Sequence, residues 1–419
     1  MGGEVKNMRR ALLAVSAFVL LAGCGSPGPV AGGNYKLYEA ASARTVQLVA
    51  VIDTQTRATE RRLPWGIPST DGRHFFSVSA KTLQDIDPHT GTVLRTLQLP
   101  GVYELPTATL GGAPGGLSQN GRYLVLQMAG QRASSHMLLI DTQLFNVAKR
   151  IDLNGKFDFD AVSNTGQSVY VLEYPNAADS YYHVRVYEVL AGQLGGYTVV
   201  DKGSPNEVMT GVRLSGVFSP DGNWLYSLYA RANEGAFVHA LNLNQPFAFC
   251  LDLPGSGYSS NANAFQWSLA ITPNGRHVYA ANGPMGVVTR IDNLDGWQPS
   301  IASIGRIPSS KSAAIPFVQN VAAKEMGPQG AVLSGDGKTL VTAGEKGLIW
   351  IDMGTLKIRS RVLADWSVWS LAASPDGATI YALNDQGAIA ELSMASARVV
   401  STFDPAEGFP MGLLRVEPA

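Results

Sequence analysis

The chain has 419 residues, 45% of them apolar and only 16% charged, and its net charge is −1. No basic run interrupts its body, so the clustered positive footprint of a nucleic-acid binder is missing and that class of partner is set aside. Its 45 glycines and 23 prolines, with Tyr, Trp, Phe, Val and Thr in short runs between them, describe many short strands joined by tight turns.

The first predicted element is a leader. Lys6, Arg9 and Arg10 form a positive end, and Ala11 to Ala22 is apolar except for Ser16. That run is shorter than the roughly 20 residues a membrane-spanning helix needs, and it fits the hydrophobic region of a secretory signal. It ends Leu21-Ala22-Gly23-Cys24, which resembles a lipobox: Leu, two small residues, then the cysteine that is lipidated and becomes the new N-terminus. The expected organisation is a lipoprotein signal peptide over 1–23, a Gly/Pro-rich flexible tether over 24–34 and one folded domain over 35–419. With several acyl chains on Cys24, the anchor is durable. Gly25 after the cysteine resembles lipoproteins sent to the outer membrane on its periplasmic side. In a cell with one membrane the protein would stand on the outer surface. Cys24 being committed to lipid, Cys250 is left without a disulfide mate, and it reads as a small buried apolar residue on a strand.

Through the body one unit recurs. A small or apolar strand leads to a polar-Gly turn at Asp71-Gly72, Asn120-Gly121, Thr165-Gly166, Asp221-Gly222, Asn274-Gly275, Asp336-Gly337 and Asp376-Gly377, at intervals of 40 to 62 residues. The Asp-Gly and Asn-Gly pairs suit two-residue hairpins with positive φ at both central positions. An aliphatic and aromatic strand follows each turn, as in Trp224-Leu225-Tyr226-Ser227-Leu228 and Ile380-Tyr381-Ala382-Leu383-Asn384. A third strand closes on Ile86-Asp87, Ile140-Asp141, Ile291-Asp292 or Ile351-Asp352, where Asp can hydrogen-bond the next turn. The N-terminus adds an extra second half, Leu48 to Asp53 and then Arg61 to Leu63, and the C-terminus an extra first strand, Met411 to Val416. Together they make one blade split between the termini, so the fold class is all-β: a β-propeller of four-stranded blades, closed by its terminal strands. Eight blades are expected, or seven if Tyr35 to Leu63 pads the outside.

Ser219-Pro220-Asp221-Gly222, Ser374-Pro375-Asp376-Gly377 and Pro273-Asn274-Gly275-Arg276-His277-Val278-Tyr279-Ala280-Ala281-Asn282 resemble the YVTN-type repeats of bacterial propellers, a superfamily similar to the quinoprotein-dehydrogenase and lactonase propellers. The resemblance covers about residues 45–419. It implies the fold and no single activity. To WD repeats the likeness is architectural, since Gly-His is missing and the late dipeptide is Ile-Asp.

No catalytic residue is assigned. The chain lacks a Gly-x-Ser-x-Gly elbow, a Walker loop and a calcium loop. Adjacent cysteines and Cys-x-x-Cys-His, which quinone- and haem-bearing propellers would want, are also missing, so no cofactor is expected. His74, His89, His136, His183, His239 and His277 show no metal-ligand spacing, and no metal is expected.

Binding chemistry is therefore sought in the loops between one blade's outer strand and the next blade's inner strand, which line one mouth of the channel. Their candidates are Tyr103 and Glu104, Phe157 and Asp158, Glu207, Arg213, Asn261 and Asn263, Lys324 and Glu325, and Trp366 and Trp369. Trp366 and Trp369 read equally well as packing between blades. The leading expectation is a monomeric, non-enzymatic binding module or scaffold, held to the membrane by Cys24, with an envelope protein as partner. The alternatives are an enzyme of lactonase or dehydrogenase type and a glycan-binding protein.

Overall fold

The computed structural model describes residues 33–43, 46–107, 112–128, 130, 133–175, 181–199, 208–307, 330–405 and 407–419. The leader, Cys24 and the tether up to residue 32 lie outside them.

The strands form eight antiparallel sheets, and each is one blade of the propeller. Blade 1 contains Gly66–Pro68, Phe75–Ser79, Thr82–Ile86 and Val93–Gln98. Blade 2 contains Tyr123–Gln127, Ser134–Asp141 and Asn146–Asn154. Its innermost position is taken by an irregular segment, where the Val125 N–H donates to the Gly116 carbonyl and Leu117 bridges Leu124. Blade 3 contains Lys156–Val162, Ser168–Tyr174 and Tyr181–Glu188, with an outer edge in two pieces, Gln193–Leu194 and Met209–Thr210. Blade 4 runs from Val212–Phe218 to Ala248–Asp252, blade 5 from Trp267–Ile271 to Ser300–Arg306, blade 6 from Ala331–Leu333 to Lys357–Val362 and blade 7 from Val368–Ala373 to Val399–Phe403.

Blade 8 closes the ring. Its innermost strand is the C-terminal Phe409–Pro418, which pairs with the N-terminal Tyr35–Ala43. Val46–Asp53 and Ala58–Pro64 follow outward. The split blade is thus real, and the count is eight rather than seven. Tyr35 to Leu63 is blade, and it leaves no sheet edge open at the termini.

Packing explains why the blades stay together. Each strand presents alternate side chains to the two neighbouring blades, and each of the eight seams holds its own apolar cluster. Tyr226 and Trp224 fill the seam of blades 4 and 5, Trp350 that of blades 6 and 7, and Tyr38 that of blades 8 and 1. Burying each large side chain contributes about 1.5–3 kcal/mol.

The first hairpin of each of blades 1 to 7 departs from the two-residue form expected of Asp-Gly. In blade 1 the Ser69 N–H donates to the His74 carbonyl (2.8 Å) and the Gly72 N–H to the Ser69 carbonyl (3.1 Å). Only the glycine is left-handed, at φ 74°. The aspartate instead works through its side chain. Ser69 Oγ donates to Asp71 Oδ1 (2.6 Å) and accepts from the His74 N–H (3.0 Å). Ser219–Asp221, Ser334–Asp336 and Ser374–Asp376 repeat the donation, and Ser118–Asn120 and Thr272–Asn274 do so with an amide. The Ile-Asp turns behave as expected at Asp53, Asp87, Asp141 and Asp352, whose Oδ1 atoms accept turn N–H groups. Asp292 is instead taken by His277 (2.8 Å) and Arg290 (2.9 Å).

Candidate functional site

The start of each first strand and the end of each second strand lie on one face of the ring, as the pairing Asp158–Leu172 and Lys156–Tyr174 in blade 3 shows. On that face, at the channel mouth, blades 8, 1, 2, 3 and 4 enclose a cavity of about 520 Å³. This lies within the roughly 300–1,000 Å³ of small-molecule and peptide sites. Trp65, Leu105, Phe159, Leu172 and Tyr174 give it apolar and aromatic walls, and Gln47, Glu104, Gln127, Asp158 and Arg213 give it polar ones.

Gln127 positions the acidic rim. Its backbone exchanges hydrogen bonds with that of Glu104 (2.9 and 3.0 Å). Its amide donates to the Phe157 carbonyl and to Asp158 Oδ1, both at 3.2 Å, and accepts the Phe159 N–H at 3.0 Å. One side chain thereby ties blade 2 to blade 3 and orients Asp158. Neither Glu104 nor Asp158 has an ion-pair partner among the described residues. Burial, with Asp158 beside it, raises the Tyr174 hydroxyl above its ordinary range.

Arg213 makes the floor. It borders both this cavity and a smaller one of about 150 Å³ beneath it. Its Nη1 donates to Asp160 Oδ1 at 2.8 Å. Both residues stand at breaks in strand register, between Phe159 and Ala161 in blade 3 and between Arg213 and Ser215 in blade 4. Such bulges re-aim side chains. Asp160 is buried, and burial raises its carboxyl, with Arg213 opposing the shift. Asp160 Oδ2 and Arg213 Nε are enclosed and have no partner among the described residues. Behind the pair, burial and the nearby guanidinium push the His239 imidazole down to about 3.

Of the residues expected at the mouth, the structure brings Glu104, Asp158 and Arg213 to one cavity. It places Tyr103, in the irregular connection, in the seam of blades 1 and 2, and Phe157 in that of blades 2 and 3, where strand alternation turns its ring inward. Trp366 and Trp369 pack in the seams of blades 6–7 and 7–8. Asn261 caps the short 3₁₀ turn Ala262–Phe265, where its side chain accepts the Asn263 N–H, and the Asn263 carbonyl takes Asn282 Nδ2 (2.7 Å). That loop is away from the cavity. Glu207, Lys324, Glu325 and the lipidation site Cys24 lie outside the described residues.

Trp65, Gln127, Phe159 and Tyr174 were missed. Gln127 and Tyr174 end second strands, which share the face with the connections between blades, so counting both kinds of loop finds them. Trp65 sits in a connection of a single residue between Ala58–Pro64 and Gly66–Pro68, too short to read as a loop.

A further cavity of about 250 Å³ lies between blades 3 and 4, lined by Tyr182, His183, Val199, Met209, Phe237 and Cys250. A groove on the opposite face, between blades 1 and 2, is lined by His74, Arg95 and Arg122. The first two are held by Asp85 (2.9 and 2.5 Å) and Arg122 by Asp141 (2.8 Å). His136 is bonded to Asp152. Among the described residues, no three His, Cys, Asp or Glu side chains converge as metal ligands do.

No protein-family model matches the chain, and no curated protein matches it. Solved structures do. Dihydro-heme d1 dehydrogenase NirN in complex with DHE is 16% identical, over 91% of this chain and 74% of that one, with a TM-score of 0.53. Apo AztD from Citrobacter koseri is 15% identical, over 92% of this chain and 98% of that one, with a TM-score of 0.55. Both are β-propeller proteins. At these identities the likeness is one of fold.

Proposed function

We propose that the chain is an exported lipoprotein, anchored to an envelope membrane through Cys24, whose propeller is a non-enzymatic module that binds an envelope protein at the channel mouth. The observation that supports this most is the mouth cavity itself. Aromatic walls from Trp65, Phe159 and Tyr174, the last with Lys156 Nζ 4.2 Å from its ring centre, surround two carboxylates, Glu104 and Asp158, that have no ion pair among the described residues. A ring holding an aromatic and acidic pocket suits an anchoring side chain of a partner, and a cationic one above all. The likeness to NirN does not bring enzymatic activity with it, since one fold hosts many functions.

Two measurements test the reading. Cells fed a labelled fatty acid should incorporate it into the wild-type protein and not into Cys24→Ser. Cross-linking in the native envelope should capture a defined protein that is lost in a variant combining Trp65→Ala, Glu104→Gln and Asp158→Asn. Capture unaffected by that variant would move the contact away from the mouth. Tyr103 is unsuitable for this purpose, because its removal would open the core of a seam.

A further inference from the structure

Arg213 is only partly used. Its Nη1 serves Asp160, through Oδ1 at 2.8 Å and more weakly through the carbonyl at 3.4 Å. No acceptor among the described residues meets Nε or Nη2, and Nε is fully enclosed. The guanidinium lies across the backbone of Gly216, where a Cβ would come within 3.0 Å of Nη2. Asp160, also fully enclosed, keeps Oδ2 unmet. Buried polar atoms of folded proteins are nearly always paired, and the Arg213 side chain keeps 19% of its surface exposed at the base of the cavity, where Nη2 can meet an acceptor from outside.

The charges narrow what that guest is. Glu104, Asp158 and Asp160 line these cavities with one cation among the lining residues, Arg213, while Lys156 stands over the Tyr174 ring at 4.2 Å. A simple anion would add to a surplus of negative charge. A simple cation would suit the rim and leave the Arg213 N–H groups without an acceptor. A guest carrying both kinds of group answers both ends of the cavity, and a carboxylate is the acceptor on a polypeptide that makes the strongest charge-assisted hydrogen bond with the Nη2 group that Arg213 leaves unpaired.

We propose that the mouth cavity reads the free C-terminus of a polypeptide ending in a basic residue, its α-carboxylate on Arg213 at the floor and its basic side chain against Glu104 and Asp158 at the rim. The apolar stem of that side chain lies along Trp65 and Phe159. The inference rests on the mouth being the binding site.

The test titrates the full-length protein with a ten-residue peptide ending in Lys, as the free acid and as the C-terminal amide, by calorimetry. Free lysine and a free-acid peptide ending in Glu are the comparison probes. The free acid should bind at least about tenfold tighter than the amide, as expected for a charge-assisted hydrogen-bond pair. In a variant combining Arg213→Gln with Asp160→Asn, which keeps the floor neutral and filled, the acid-to-amide ratio should fall to about one. Thermal melting first confirms that this variant folds, and Arg213→Lys, with its point charge in place of the fork, should retain part of the preference. Glu104→Gln with Asp158→Asn should weaken acid and amide alike. Equal binding of acid and amide by the wild type, with both weakened by the rim variant, would overturn the C-terminus reading and leave the mouth as the site. Free lysine binding as tightly as the peptide would replace the polypeptide by a small molecule. Binding of all probes unchanged by every variant would overturn both readings.

Discussion

Glu39 shows what a single buried residue does to this protein. It is 1% exposed on the second strand of blade 8, and its Oε2 has no partner among the described residues. Arg62, in register with it two strands outward, is spent on Glu407, with bonds of 2.7 and 2.8 Å. Burial first, then Glu407 and Asp404, push the Glu39 carboxyl up to about 8. The folded protein therefore keeps a proton that the unfolded chain releases near the ordinary carboxylate pKa, about 4.3. Stability falls as pH rises between those two values and levels off above about 8. Glu39→Gln should remove that slope. Its unfolding free energy from urea melts should match the wild type near pH 4 and exceed it at pH 8–9, by about a few kcal/mol at most. An unchanged slope would show that Glu39 is ionised within the fold. Nothing in Tyr38-Glu39-Ala40 marks this glutamate in the sequence, because its burial comes from blade 7 packing over it. Tyr103 and Phe157 carry the same lesson in reverse: placed by loop position, they turned out to be core, because which way a ring points depends on strand register.

At the level of elements, the turns were the most legible part of the chain and were still read incompletely. The glycine of each first hairpin was located correctly, since only glycine takes positive φ freely. The serine or threonine two residues before the Asp or Asn was not recognised, although it closes the turn from the other side. The turn between third and fourth strands has its own rule. The residue four places after the Asp is left-handed, whether Gly91 (φ 74°) or non-glycine at Arg57 (φ 59°), Phe145 (φ 53°) and Leu356 (φ 54°). A non-glycine residue in this region carries a strain of about 1–2 kcal/mol. Arg57 is exposed, so Arg57→Gly should raise stability by about 0.5 kcal/mol, the relief being partly offset by the greater freedom of glycine when unfolded. At the equivalent position Gly91→Ala should lower it by about 1 kcal/mol, its new Cβ lying 3.0 Å from the Arg61 side chain. Denaturant melts of the pair check both signs.

For the molecule as a whole, the closing strand is decisive. Phe409–Pro418 pairs with Tyr35–Ala43, and its first-strand neighbours on either side are those of blades 7 and 1. Tyr38 donates to Glu417, Arg415 reaches Glu417 at 3.0 Å, and Arg415 also holds the Ser69 carbonyl of blade 1 at 2.9 Å. Deleting the strand would uncover Tyr38 and the apolar face of blade 8 while opening two seams. Removal of 409–419 should therefore abolish a single cooperative thermal transition and produce aggregation, read by circular dichroism and light scattering. A synthetic peptide of that segment should restore part of the transition. A cooperative melt of the truncated chain would mean that the ring closes by other contacts.

What the sequence determined by itself was whatever repeats locally: four-stranded units, the positions of their turns, an all-β ring and a blade shared by the termini. Such features are written within a few dozen residues and need no distant partner. The choice between seven and eight blades, and the membership of the mouth cavity, were decided by the tertiary structure alone. Gln47, Trp65, Glu104, Asp158 and Arg213 come from five different blades or connections and meet only when the ring has closed. The Asp160–Arg213 pair further requires two bulges to face each other across a seam. Convergence of this kind leaves no periodic trace along the chain, because strand register and ring closure set it and local pattern does not.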